Sequence, residues 1–168
     1  MSITRRAAVT VLVLCLCIGV DLGTKTIIRE TLTRPLPQYY LGGALRLSYW
    51  ENIGSTMSAG DHLPAALRFW AFTVAAGVVA GLVIMCVIMW PGLKATQVIA
   101  GSLIAGGALS NVIDRLLHEG RVLDFINIAI APLNVMIFNF ADVAIALGTI
   151  MFVIASIRRL IGYSSRQI

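Results

Sequence analysis

The chain runs to 168 residues, of which 58% are hydrophobic and only 12% charged, with a formal net charge of +5. Soluble domains carry about 25% charged residues, so a water-soluble globular class is excluded and helices packed against one another and against lipid are expected. The basic residues form no compact run and no aromatic-basic interleaving, which argues against nucleic acid and for anchoring at membrane ends.

Four stretches are long enough to cross a hydrocarbon core about 30 Å thick, which takes about 20 residues. The first covers residues 7–28, after Arg5 and Arg6. It lacks a small-x-small cleavage site, and Asp21 and Lys25 follow four apart on one helical face, so it reads as a retained helix rather than a signal peptide. Cys15, Cys17 and Cys86 all lie in apolar stretches at no zinc or disulfide spacing and read as small hydrophobes. Leu14 before Cys15 is too bulky for a lipidation site.

Residues 29–68 are too many for a simple turn. Leu45, Leu47 and Tyr49 alternate with Arg46, Ser48 and Trp50, a period of two that predicts a strand, with Pro35, Pro37, Gly42 and Gly43 as turn material. Residues 61–68 read as a short surface helix, so a small sheet lying on the membrane face is expected. The second span, residues 69–90, has no charge and ends on Trp90-Pro91-Gly92, an interfacial ring followed by a turn. Residues 91–94 alone link it to the third span, residues 95–116, so the two form a tight antiparallel hairpin. Gly101, Gly106 and Gly107 in the third span predict close helix packing. The fourth span, about residues 136–160, closes on Arg158-Arg159, and Asp142 is the sole charged residue of stretch 133–157.

The fold class expected is therefore an all-α polytopic membrane protein. It has four transmembrane helices, with a small β-sheet and a short surface helix between helices one and two. Residues 1–168 would form a single membrane-embedded domain. The density of Arg5, Arg6, Lys94, Arg158, Arg159 and Arg166 puts both termini in the cytoplasm under the positive-inside rule.

With that topology every polar group near a helix collects at one rim. Asp21 and Lys25 end the first span, Asn111, Asp114 and Arg115 end the third, and Asn139 and Asp142 start the fourth. At 1.5 Å per residue Asp142 lies only about 10 Å inside that face, within reach of Asp124 in the loop outside. Bland readings stand beside functional ones: Asp21/Lys25 as an ion pair, Asp114/Arg115 as a structural network, Asn111 and Asn139 as inter-helix glue, and His118 as a solvated interfacial residue. Asp142 has no base within a turn and favours function. Two carboxylates brought together share one proton and serve as acid and base. No metal ligand set and no Ser-His arrangement offers an alternative, so neither metal nor cofactor is expected; a serine (Ser48, Ser55 or Ser58) paired with Lys25 is conceivable, with nothing to fix its geometry.

At these residues the chain resembles the lipoprotein signal peptidase (signal peptidase II) family over nearly its whole length. Asp21-Leu-Gly-Thr-Lys25, Gly106-Gly-Ala-Leu-Ser-Asn-Val-Ile-Asp-Arg115, Val122-Leu-Asp-Phe125 and Phe138-Asn-Phe-Ala-Asp142 are similar to four of its motifs, in order. The resemblance implies a bacterial inner-membrane aspartyl endopeptidase with Asp124 and Asp142 as its catalytic dyad at the extracytoplasmic face. It implies cleavage just before a diacylglyceryl-modified cysteine of a prolipoprotein. Asn52, Gly54, Asn111, Arg115 and Asn139 would orient substrate, and Asp21, Lys25 and Asp114 would support the architecture. The expected partners are the lipid-modified substrate and membrane lipid, with a monomeric enzyme and no nucleic acid. One motif departs: Asn52-Ile-Gly-Ser-Thr-Met57 has Met57 where the family carries an aromatic ring, which bears on substrate range more than on chemistry. Two rivals remain: a homologue that binds lipopeptides without cutting them, and a small transporter using Asp142 as a proton relay.

Overall fold

The computed structural model describes residues 1–32, 37–54, 60, 62–130 and 133–164. Pro35, Ser55, Thr56, Met57, Ser58, Asp61 and Arg166 of the sequence reading lie outside the described residues.

Among the described residues, four helices are long and apolar enough to cross a membrane: α1 (Ile3–Thr31), α2 (Ala65–Met89), α3 (Ala95–Leu117) and α4 (Phe140–Ser164). In α3, 61% of the most apolar window is buried, against 11–17% in the other three, so α3 is the hub and the others present flanks to lipid. Its small residues allow this. A Cβ on Gly106 would stand 2.9 Å from Cys17 Cβ of α1 and one on Gly107 would fall on the Ala141 carbonyl of α4. From the other side, a Cβ on Gly148 of α4 would stand 2.6 Å from the Ala100 carbonyl. Backbones this close are what small residues provide between membrane helices.

Ala65–Arg68 forms the short helical turn expected ahead of the second span and runs into it without a break. The next seven residues, Phe69–Ala75, are wound as a π-helix, a local widening that sequence periodicity does not announce.

The sheet is where expectation and structure differ. Strands β1 (Gln38–Tyr40) and β2 (Leu45–Asn52) come from the α1–α2 connection as expected. They are joined by a turn through Leu41, Gly42 and Gly43, all at positive φ. Strands β3 (Val122–Ile130) and β4 (Leu133–Phe138) come from the α3–α4 connection and complete one antiparallel sheet, ordered β1-β2-β3-β4. The fourth helix accordingly begins at Phe140, not near Met136. A capping box sets that start. Asn139 Oδ1 accepts from the Asp142 backbone N–H at 2.9 Å, and Asp142 Oδ2 accepts from the Asn139 N–H at 3.2 Å. Together they satisfy backbone donors that a helix start leaves orphaned.

Leu47 and Tyr49 of β2 pack with Ile28, Leu32, Leu123 and Phe125 in one apolar cluster. Both lie on the face that the alternation gives them, partly buried against this cluster. This cluster seats the sheet on the end of α1, with β3 held directly over the rim where α3 ends and α4 begins.

Candidate functional site

Asp124 lies in β3, paired across to Trp50 of β2, and Asp142 is the third residue of α4. Asn139, fully buried between them, touches both. Its Nδ2 donates to Asp124 Oδ1 at 2.6 Å, while its backbone N–H donates to Asp142. Asn52 Nδ2 donates to Asp124 Oδ2 at 3.0 Å, and Asn111 Nδ2 donates to Asp142 Oδ1 at 3.0 Å. Each carboxylate is thus held by an asparagine amide from another element. Together with Arg115, these residues line a cavity of about 610 Å³, walled by Phe72, Ala76 and Val143 among other apolar residues.

Gly54 and Arg115 meet each other rather than the carboxylates: Arg115 Nη2 donates to the Gly54 carbonyl at 2.8 Å. Gly54 itself is positioned by Asn52, whose Oδ1 accepts its N–H at 3.0 Å.

Asp21, Lys25 and Asp114 form a second, dry cluster behind the first, all with fully buried side chains. Lys25 Nζ lies 2.6 Å from Asp21, 3.2 Å from Asp114 and 3.0 Å from Asn111 Oδ1. Asp21 also accepts from Ser110 Oγ at 2.7 Å and from the Ala141 backbone N–H at 3.0 Å, so the end of α1 caps the start of α4. Asp114 accepts from Arg29 at 2.5 Å and from the Leu123 backbone N–H at 2.9 Å, which ties α3 to the strand that carries Asp124. Ser110 and Arg29 belong to this cluster and were not singled out from sequence, although Arg29 continues the four-residue spacing of Asp21 and Lys25. His118 is not merely solvated: its Nδ1 lies 2.8 Å from Asp114 Oδ1.

Burial pushes the Asp124 carboxyl up to about 6 from 3.8, helped by the charge of Asp142 and opposed by the Asn52 and Asn139 donors and by Lys25. A carboxyl with a raised folded-state pKa costs no stability where both states are protonated, below about 4. The cost grows as pH rises toward 6 and is constant beyond. Asp124→Asn removes this titration. We expect the melting temperature of the wild type to fall relative to Asp124→Asn between pH 4 and 7, by the equivalent of about 3 kcal/mol. Parallel melting curves across that range would place the Asp124 titration elsewhere.

Four spans around a buried hub, with acidic and amide side chains gathered under a sheet at one rim, define a polytopic helical membrane protein with a polar site at the membrane surface. Residues 13–158 match the family described as signal peptidase (SPase) II, and the chain belongs to that family. It is 35% identical over 164 residues to the lipoprotein signal peptidase of Streptomyces coelicolor, spanning 93% of this chain and 74% of the relative. It is 36% identical over 140 residues to that of Shigella boydii, spanning 80% of each. Two solved structures of bacterial membrane enzymes are similar, with TM-scores of 0.77 and 0.76 at 27% and 28% identity. They cover 89% and 87% of this chain, and 87% and 90% of theirs.

Proposed function

We propose that this chain is a membrane aspartic endopeptidase that removes signal peptides from diacylglyceryl-modified prolipoproteins. It cuts just before the lipid-modified cysteine, with Asp124 and Asp142 as its catalytic pair. Family membership supports the reaction class. The single structural observation that supports the pair is Asn139, which hydrogen-bonds one carboxylate with its side chain and the other with its backbone inside one cavity.

The chemistry follows from two acids holding one proton. The ionised carboxylate takes a proton from water, and the resulting hydroxide equivalent attacks the scissile carbonyl. The protonated partner donates to the carbonyl oxygen and the collapsing intermediate passes a proton to the leaving amine. Asp124 at about 6 populates both forms near neutral pH, as acid-base catalysis requires. The proton belongs to the pair rather than to either residue. Asn52, Asn111 and Asn139 fix the carboxylates and, with Gly54 and Arg115, orient substrate at the cavity; Asp21, Lys25 and Asp114 hold the helices that carry them. The whole chain acts as one peptidase domain, a monomer in the bacterial inner membrane. Both termini are cytoplasmic, the sheet and site are extracytoplasmic, and the signal peptide enters from the bilayer. The transporter reading is weaker, because α2 offers no acidic residue or histidine to continue a relay.

Purified protein in detergent, given a prolipoprotein with and without its diacylglyceryl group, tests the reading. Cleavage of the lipid-modified form, at least about tenfold faster than of the bare form, is expected. Equal rates would remove lipid recognition, and no cleavage of either would leave the non-cutting homologue.

A further inference from the structure

A second cavity, of about 240 Å³, lies on the other side of Arg115 from the carboxylates, between the π-turn of α2 and the end of α3. Arg115 lines both cavities. Its two terminal nitrogens are engaged, one by the Asn111 carbonyl at 3.3 Å and the other by Gly54. Its Nε–H is buried and has no hydrogen-bond partner among the described residues. Thr73, which lines the same cavity and is 3% exposed, carries a hydroxyl that is likewise buried and unpartnered among the described residues.

Helical threonines ordinarily satisfy themselves by donating to the carbonyl four residues back. Thr24, Thr26, Thr31 and Thr149 all do so here, at 2.7–2.9 Å. Thr73 sits inside the π-wound stretch, whose wider turn changes the spacing to that carbonyl. Two buried donors left open on one cavity are uncommon, since such groups cost about 1–3 kcal/mol each when unpaired. They call for an acceptor.

The surroundings select its kind. Phe69 and Leu116, both lining the cavity, are 45% and 61% exposed and stand at the start of one span and the end of another, the depth at which the glycerol backbone of a lipid would lie. Arg68 and Glu119 both line the cavity with opposite charges, and Arg68 already donates to the Leu63 carbonyl at 2.7 Å, so neither charge sets the kind of ligand. A neutral ester carbonyl suits both donors.

Resting on the function proposed above, we propose that this cavity receives the ester carbonyls of the diacylglyceryl group on the substrate cysteine. Thr73 Oγ1 and Arg115 Nε donate to them, and the acyl chains leave between Phe69 and Leu116. Arg115 then stands between the peptide cavity and the lipid cavity, and the cysteine bearing the lipid lies next to the bond that is cut. The π-turn has a purpose in this arrangement: it frees the Thr73 hydroxyl for the ligand.

Thr73→Val keeps the shape and removes the donor, while Thr73→Ser keeps the donor. With lipid-modified prolipoprotein, Thr73→Val should raise KM about five- to tenfold at unchanged kcat and unlowered melting temperature, and Thr73→Ser should stay near wild type. An unchanged KM in Thr73→Val overturns the proposal, as does an equal KM rise in Thr73→Ser. Direct binding separates this from failure of the enzyme reading. Wild type should bind an S-diacylglyceryl-cysteine peptide at least about fivefold more tightly than the ether-linked analogue that lacks the carbonyls, and Thr73→Val should narrow that difference to what the Arg115 Nε contact alone gives. Equal binding of both by wild type removes the carbonyl contact, whether or not the protein cuts. Phosphatidylglycerol competing as well as the cysteine-linked lipid would assign the cavity to bulk lipid and overturn the substrate assignment.

Discussion

Asp124→Asn and Asp142→Asn should each lower the rate of prolipoprotein cleavage by at least about a thousandfold, within the range that loss of a positioned acid or base produces. The two effects should not add, because half of a proton-sharing pair has no partner to exchange with; the double variant should be little worse than either single one. The amide fits poorly for a geometric reason. Asp142 accepts on both oxygens, from Asn111 Nδ2 and from the Asn139 N–H. Asp124 does the same, from Asn52 and Asn139. An amide nitrogen at either place faces a donor. Folding is monitored separately by melting, which for Asp124→Asn carries the pH signature described above. More than about a tenth of wild-type activity in Asp142→Asn would end the assignment of the pair.

Lys25→Met should have the largest effect on stability, a loss on the order of 3–5 kcal/mol. A fully buried ammonium that neutralises two fully buried carboxylates cannot be removed without leaving charge in a dry place. The penalty belongs to the unpaired acids, so adding Asp21→Asn to Lys25→Met should recover a substantial part of it. That recovery separates charge imbalance from lost packing, which the second change would only worsen. The readout is thermal unfolding in detergent. A Lys25→Met protein that melts within a degree or two of wild type would contradict the dry cluster. Activity should fall as well, since Lys25 Nζ also fixes the Asn111 carbonyl and so aims the Asn111 amide at Asp142.

What could be read from the chain follows from which signals are local. Length and hydropathy placed the four spans to within a few residues at most ends, and helix direction alone gathered Asp21, Lys25, Asn111, Asp114, Arg115, Asn139 and Asp142 at one rim. The alternation at Leu45, Leu47 and Tyr49 gave β2, and two of these residues pack on the apolar cluster at the end of α1. The strands β3 and β4 were missed because both faces of their segment are largely apolar. Val122, Leu123, Asp124 and Phe125 are all buried, and a short apolar run does not distinguish a covered strand from a helix. The second half of β4, residues 136–138, reads as the start of the fourth helix for the same reason. The capping pair Asn139/Asp142 was the available signal for the true start. Partner choice was beyond reach: nothing in the sequence says that Asn139 would bridge the two carboxylates or that Arg115 would turn to Gly54. The π-turn around Thr73 left no trace in the periodicity.

The joint between β4 and α4 has a consequence for how this protein tolerates change in length. Strand ends at Phe138 and helix begins at Phe140, so Asn139 is the whole connection. A helix turns about 100° per residue. One residue inserted there would swing Asp142 about a quarter-turn from Asn111, whereas one added between α2 and α3, at the opposite end of the bundle, would only lengthen a surface turn. Homologous chains should therefore vary in length at the α2–α3 turn and scarcely at all at the joint between β4 and α4.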